Sequence, residues 1–408
     1  MMRWLAIVIL IILIVLRGLL IYRTFVKLAS GTSVKIIRTI KNGVINDKGN
    51  NYVDADAVWI RIPKKMALAE GDRIEVIGKL GPQVTIKNST KFLLIPGRIY
   101  KKENKINYSI KLKEKLLFWI PGDEGALAVG LLFGGTGYMS REMADYFRRA
   151  GISHILAASG YNVSLVAGWI TAFCVMAVGR RKGAGLSIAG IWVYVWLAGP
   201  SAAVVRAAVM GTAAVIGLWM GRETDVGWWL VLSALLMLVY NPLWILDVGF
   251  LLSFAAMGGI LFISPSSIPP LNLRGGKEKG GDIGGLFGFF KETLKTTLAA
   301  QVATMPIILH FFGNISVIAP IANLAILWLI PVSMQILAVG MVFGPVLYLA
   351  WPPLHFMIWI TRVLGSLDIA SFEVGKIGWM WVGAYYATLL LIFNFKFKIL
   401  NLIKTHIK

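Results

Sequence analysis

GISHILAASGYNVSLVAG, residues 151–168, is the stretch on which the reading of the chain turns. It is apolar enough to enter a membrane, yet His154, Ser159, Gly160 and Asn162 fall within a few positions of one another. In hydrocarbon each unpaired polar group costs several kcal/mol, so such a cluster must face protein or water. The stretch therefore reads as the start of a transmembrane span, from Ile152 to about Val178, that carries functional groups. Helical geometry puts Ser159 and Asn162 on one face and leaves His154 well around the helix from Ser159. A local Ser–His nucleophile is thus unsupported, and Ser159 lacks a G-x-S-x-G turn. Gly160 can instead interrupt the helix, so that backbone groups and the Asn162 amide line a watery cavity. The same groups can also simply tie neighbouring helices together.

The composition agrees with a membrane setting. The 408 residues are 57% hydrophobic and 15% charged, which excludes a single soluble globule. A formal net charge of +21 favours anionic partners, membrane lipid headgroups or nucleic acid, and also follows from the positive-inside rule. Cys174 is the single cysteine, so disulfides and cysteine-based metal sites are excluded.

Working outward, Trp4–Tyr22 is an apolar run interrupted by Arg17 and long enough to span, so residues 1–29 read as an uncleaved anchor. Residues 30–115 change character, with eighteen lysines and arginines against eight acids. Val34 and Ile36 alternate with charged residues, Asn42-Gly43 is a hairpin turn pair, and Ile74 and Val76 alternate with Arg73 and Glu75. Several short strands of this kind fit a small OB-like β-barrel, placed outside the membrane by the charges that flank the spans. Such a barrel can bind a polyanion through Lys64 and Lys65, with Tyr52 and Trp59 as stacking platforms. Equally, its lysines can serve solubility and its aromatics can fill a core.

Residues 116–150 read as re-entrant or interfacial amphipathic segments. Within them Ser140 is a plausible N-cap; Met143 and Phe147 fall on one helical face and Arg141, Arg148 and Arg149 on the other. Arg148 and Arg149 are candidates for the entrance to an anion path. Residues 151–395 form the transmembrane region, of roughly nine to eleven apolar elements, some of them half-helices. Arg206 lies there among Ala202, Ala203, Ala207, Ala208 and Gly211, small residues that permit close packing. Asp247 and Ser253 lie in a later run, and an Arg206–Asp247 pair is the plain expectation for two embedded charges. Residues 396–408 form a basic tail on the cytoplasmic side. No zinc-hydrolase, P-loop or dinucleotide motif occurs, so the chain reads as not an enzyme, with no catalytic residues, metal or cofactor.

The segment Phe147-Arg148-Arg149-Ala150-Gly151-Ile152-Ser153-His154-Ile155-Leu156-Ala157-Ala158-Ser159-Gly160 resembles the FRRxGLSHLLAISG signature of the ComEC competence family, the membrane channel for DNA uptake. Three further blocks resemble that family in order: Gly199 to Ala208 around Arg206, Asn241-Pro242 through Asp247 to Phe254, and Thr304-Met305-Pro306 through Gly313 to Asn323. The resemblance implies passage of single-stranded DNA into the cytoplasm, with Arg148, Arg149, His154, Ser159, Asn162, Arg206, Asp247, Ser253 and Asn323 as path candidates. It also implies a separate DNA receptor and a cytoplasmic helicase motor. Where many relatives continue SGLH, this chain reads Ser159-Gly160-Tyr161-Asn162, so an amide stands in the place of an imidazole. The expected form lacks the C-terminal metallo-β-lactamase-like domain that many relatives carry, leaving the second strand to another nuclease. The alternative is a small-solute or lipid transporter with an accessory external domain.

Overall fold

The computed structural model describes residues 2–28, 33–40, 45–47, 50–55, 58–63, 66, 73–86, 89–102, 108–156, 160–221, 225–263, 283–389 and 391–392. Helices dominate. The first, α1 (Met2–Leu28), packs along α9 (Val226–Tyr240). Its Arg17 donates from Nη1 to the Val239 carbonyl at 2.8 Å. The charge that interrupts the anchor thus satisfies a carbonyl at the C-terminal end of α9, where four such groups have no intrahelical partner.

Between α1 and the bundle lies one six-stranded sheet, in the order β1-β5-β6-β4-β3-β2. Its strands are β1 (Ser33–Thr39), β2 (Ile45–Asp47), β3 (Asn50–Ala55), β4 (Val58–Ile62), β5 (Arg73–Ile86) and β6 (Ser89–Lys102). Neighbours pair antiparallel except β4 with β6. The long β5–β6 hairpin shifts register at Ile77/Gly78 and again at Leu80/Gln83, and such irregularities bend a strand. A side chain at Gly78 would collide with the Ile95 carbonyl, which is why glycine marks the bend. The expected closure into a barrel is not found: among the described residues β1 and β2 are the two edges of an open sheet. The Asn42-Gly43 turn lies outside the described residues.

The helical part has two neighbourhoods. The first centres on α3 (Gly122–Phe133), whose residues Gly125 to Phe133 are all buried. A helix apolar all round belongs in a core. At twelve residues α3 is about 18 Å long, short of the ~30 Å hydrocarbon layer. It packs against α2 (Tyr108–Trp119), α13 (Leu329–Val342) and α14 (Trp351–Ser366). Helix α4 (Arg141–Arg149) forms as its pattern predicts: Ser140 Oγ accepts from the Met143 N–H at 3.3 Å, and Met143 and Phe147 are buried. Its apolar face, however, meets protein and not lipid. A Cβ at Gly365 of α14 would lie 2.7 Å from the Tyr146 carbonyl, so the two helices cross at near backbone contact.

The second neighbourhood holds α6 (Gly160–Val178), α7 (Arg180–Ala198), α8 (Ala202–Met220), α9 and α10 (Val248–Ile263). Of the span expected from Ile152, the described residues hold a helical turn, α5 (Ser153–Leu156), and then α6 from Gly160. Helices α6 and α8 are each long and apolar enough to cross a membrane. A third candidate span is the pair α12 (Ala319–Ile326) and α13, bent by 45° at the break. Helix α11 (Ile283–Phe312) runs thirty residues, packs on α10 and leads through β7 (Asn314–Ser316) into α12. Strand β7 pairs with β8 (Ser371–Glu373), which follows α14. A last helical run covers 379–389. The basic tail, residues 396–408, lies outside the described residues.

Candidate functional site

Arg206 sits on α8 and is only 9% exposed. Its Nε donates to Ser253 Oγ of α10 at 2.7 Å, Nη1 approaches Met210 Sδ at 3.5 Å, and the guanidinium lies 5.9 Å from the Phe254 ring centre. Its other terminal nitrogen occupies the space where a side chain at Gly160 would stand. The expected Arg206–Asp247 pair is not formed: the Asp247 carboxylate instead accepts from the Phe250 N–H at 2.8 Å and caps the start of α10. The N-terminal turn of α10 offers that carboxylate free N–H groups close in sequence, without the cost of reaching across the bundle. Among the described residues no carboxylate pairs with Arg206.

This seat has a definite electrostatic character. The guanidinium packs against Gly160 of α6, with a hydroxyl, a thioether and an aromatic ring as its other neighbours. A buried cation whose described neighbours are all neutral is a place that favours an anion.

The other expected residues have more local roles. Asn162 is fully buried and donates from Nδ2 to the Leu131 carbonyl at 3.1 Å; beside it the Tyr194 hydroxyl donates to the Leu132 carbonyl at 2.8 Å. Both satisfy the C-terminal end of α3, so Asn162 ties helices together and does not line an open path. Arg149 donates to the Leu367 carbonyl at 2.9 Å, just past the end of α14. Arg148 is exposed and pairs with Asp145 at 2.6 Å. His154 is exposed on α5, and Asn323 is buried on α12 with its Oδ1 unpartnered. Ser159, Lys64 and Lys65 lie outside the described residues.

Trp59 and Tyr52 are not stacking platforms. They are 2% and 9% exposed and pack with Ile86 on one face of the sheet, while Val58, Ile60 and Ile62 pack into a second cluster. Trp59 is covered on its own face of β4 by Tyr52 and Ile86, while Arg61, two residues on along that face, is exposed, so alternation alone does not tell which of the two is inside. Their rings are not available to a base.

Three further cations also meet helix ends. Arg180 donates from both Nε and Nη2 to the Leu218 carbonyl near the end of α8. Lys115 reaches the Met341 carbonyl of α13 at 2.7 Å, and Arg17 serves α9 as described. Sequence reading missed this use because each partner is far away along the chain. Only Arg17, alone in an apolar run, gave a signal in the sequence.

The arrangement defines a class: a multi-pass helical membrane protein with a small β-sheet domain and a buried, carboxylate-free arginine where three helices meet. The chain belongs to the Competence protein family, whose sequence model matches residues 131–398. It is similar to ComE operon protein 3 of Bacillus subtilis (strain 168), 25% identical over 272 residues that make up 62% of this chain and 32% of that protein. It is also similar to Competence protein ComA of Neisseria gonorrhoeae, 25% identical over 242 residues, 55% of this chain and 32% of that protein. The matched stretch thus spans about a third of the length of these relatives. No solved structure matches.

Proposed function

We propose that this chain forms part of the path by which single-stranded DNA crosses a cell membrane, and that Arg206 meets the phosphate backbone in passing. The observation that carries this reading is the Arg206 seat: a buried cation whose described partners are all neutral, packed against Gly160 of α6. An embedded charge without a counter-charge is expensive and marks a functional pathway by default. A transient anion offsets that cost at each step without binding tightly enough to stop. The seat is built from Gly160, Arg206 and Ser253, one from each of three sequence blocks that carry the family resemblance, and the family and one of the relatives are named for competence.

In this reading the sheet domain is OB-like and lies outside the membrane, because basic segments flank the spans on the other side. Its lysines gather the strand, and affinity falls with salt as counterions are released. The chain performs no chemistry on DNA; a receptor, a nuclease and a motor are separate proteins. The test is disruption of the gene, scored for labelled DNA reaching the cytoplasm. Uptake is lost in the disrupted strain and restored by the intact gene. Unchanged uptake would overturn the reading, and solute transport by reconstituted protein in the absence of DNA would favour a transporter.

A further inference from the structure

A cavity of about 380 Å³ opens beside the β7–β8 ribbon, lined by Arg148, Phe312, Asn314, Glu373 and Lys376 together with Gly313, Val374 and Gly375. We infer that it is a binding notch for one nucleotide unit of a single strand, with the phosphate held between Arg148 and Lys376 and the base against Phe312. The inference deepens the proposed function and rests on it for the identity of the polyanion.

The notch is preorganised. Residues 374–378 have no regular secondary structure, yet the loop is fixed at both ends. The Gly313 carbonyl accepts from the N–H groups of Val374 at 3.0 Å and Gly375 at 2.9 Å. On the far side of Lys376, His310 Nδ1 lies 2.7 Å from the Ile377 carbonyl and donates to it, and its ring packs on Trp379 with centroids 4.2 Å apart. Gly313 has φ 71° and Gly375 φ 90°, a left-handed backbone that side chains resist. A Cβ at Gly313 would also crowd Gly375 and Lys376. The loop therefore presents Lys376 at a set distance from Arg148.

The lining chemistry selects the ligand. Among the described residues Arg148 pairs with Asp145, an exposed pair at 2.6 Å; exposed pairs are worth about 0–1 kcal/mol, so a phosphate can displace the carboxylate. Phe312 is 46% exposed and offers a ring face, and stacking on such faces is tolerant of sequence. The volume is at the low end of the roughly 300–1,000 Å³ of small-ligand sites, which suits one nucleotide and excludes a duplex. Glu373 opposes a polyanion lying along the whole cavity and limits the contact to one unit. Placement agrees: α11 starts after the basic segment 264–282, and β7 follows its other end, so the notch lies at the end of α11 away from that segment, the outer face by the charge rule.

The test uses the full chain in discs of neutral phosphatidylcholine and a single-stranded oligonucleotide carrying 5-iodouracil. Ultraviolet crosslinking followed by peptide mapping should place the base on Phe312. Arg148→Gln with Lys376→Gln should lower that crosslink about tenfold and make its salt dependence shallower by about 1.4, as expected for two single-strand phosphate contacts. Glu373→Gln should raise it, a gain that a misfolded loop would not give. No crosslink at Phe312, or one indifferent to these substitutions, would overturn the notch. So would its abolition by phosphatidylglycerol in the disc, which would make the cavity a lipid headgroup site. Arg206-dependent uptake without a Phe312 crosslink would remove the notch and leave the proposed function standing. A Phe312 crosslink with uptake indifferent to Arg206 would do the reverse.

Discussion

Arginines at the helix ends and the arginine in the bundle interior do opposite things. Arg17, Arg149 and Arg180 each reach a carbonyl at or just beyond the C-terminal end of a helix, where negative dipole and cation satisfy one another. Arg206 is turned toward Gly160 of α6, with neutral partners and no carboxylate among the described residues. The first group is electrostatically complete without any ligand, and the second is not. Burial and partner separate them: Arg206 is buried among neutral groups, while Arg17 and Arg180 are exposed, Arg149 is half-buried, and each of the three meets a helix-end carbonyl.

The sheet domain supplies the largest perturbation by which to calibrate this contrast. Trp59→Ala empties a site that is 2% exposed and should cost about 3–5 kcal/mol. Protease digestion of residues 30–115 across a urea titration reads this out. A shift near zero would restore Trp59 as a surface platform and undo the burial argument.

Next in size is Gly160→Val. The new side chain enters the space of the Arg206 guanidinium, and overpacking of this kind costs about 1–3 kcal/mol. DNA uptake should fall together with thermal stability in detergent. A variant of normal stability and uptake would mean that the guanidinium does not need its place over α6.

The smallest effect belongs to a helix end. Arg149→Gln removes the bond to Leu367 and should cost about 0.3–1 kcal/mol in the melting transition, with uptake per molecule unchanged. A large loss of uptake at unchanged stability would move Arg149 from a cap into the path and break the comparison.

Much of the fold was legible because its signals are local. Ser140 with Met143 and Phe147 specified α4, and the apolar runs around α6 and α8 specified spans. The alternation of Ile74 and Val76 specified a strand: both are buried on β5. What escaped depends on contacts between distant residues. Trp59 and Tyr52 looked available because alternation identifies a face but not whether a second layer covers it. Asn162 and Arg149 were legible as polar residues needing partners, whereas Asp247 caps locally through the Phe250 N–H three residues on. That the partners were helix ends required knowing that α3 stops beside α6 and α14 stops beside α4. Arg206 was legible as an embedded charge, but its facing glycine was not, since only packing brings α8 onto Gly160 of α6. The notch escaped because two turns, at Gly313 and Gly375, build it from opposite ends of a long excursion.

The central claim is that Arg206 supplies an uncompensated positive charge to a passing anion, and a charge scan at that position tests it most directly. Labelled-DNA uptake is measured for Arg206→Gln and Arg206→Lys at matched membrane levels of protein. The account predicts loss of uptake in Arg206→Gln and partial retention in Arg206→Lys, since lysine keeps the charge but not the planar donor fork. Full uptake in a well-inserted Arg206→Gln protein would contradict it.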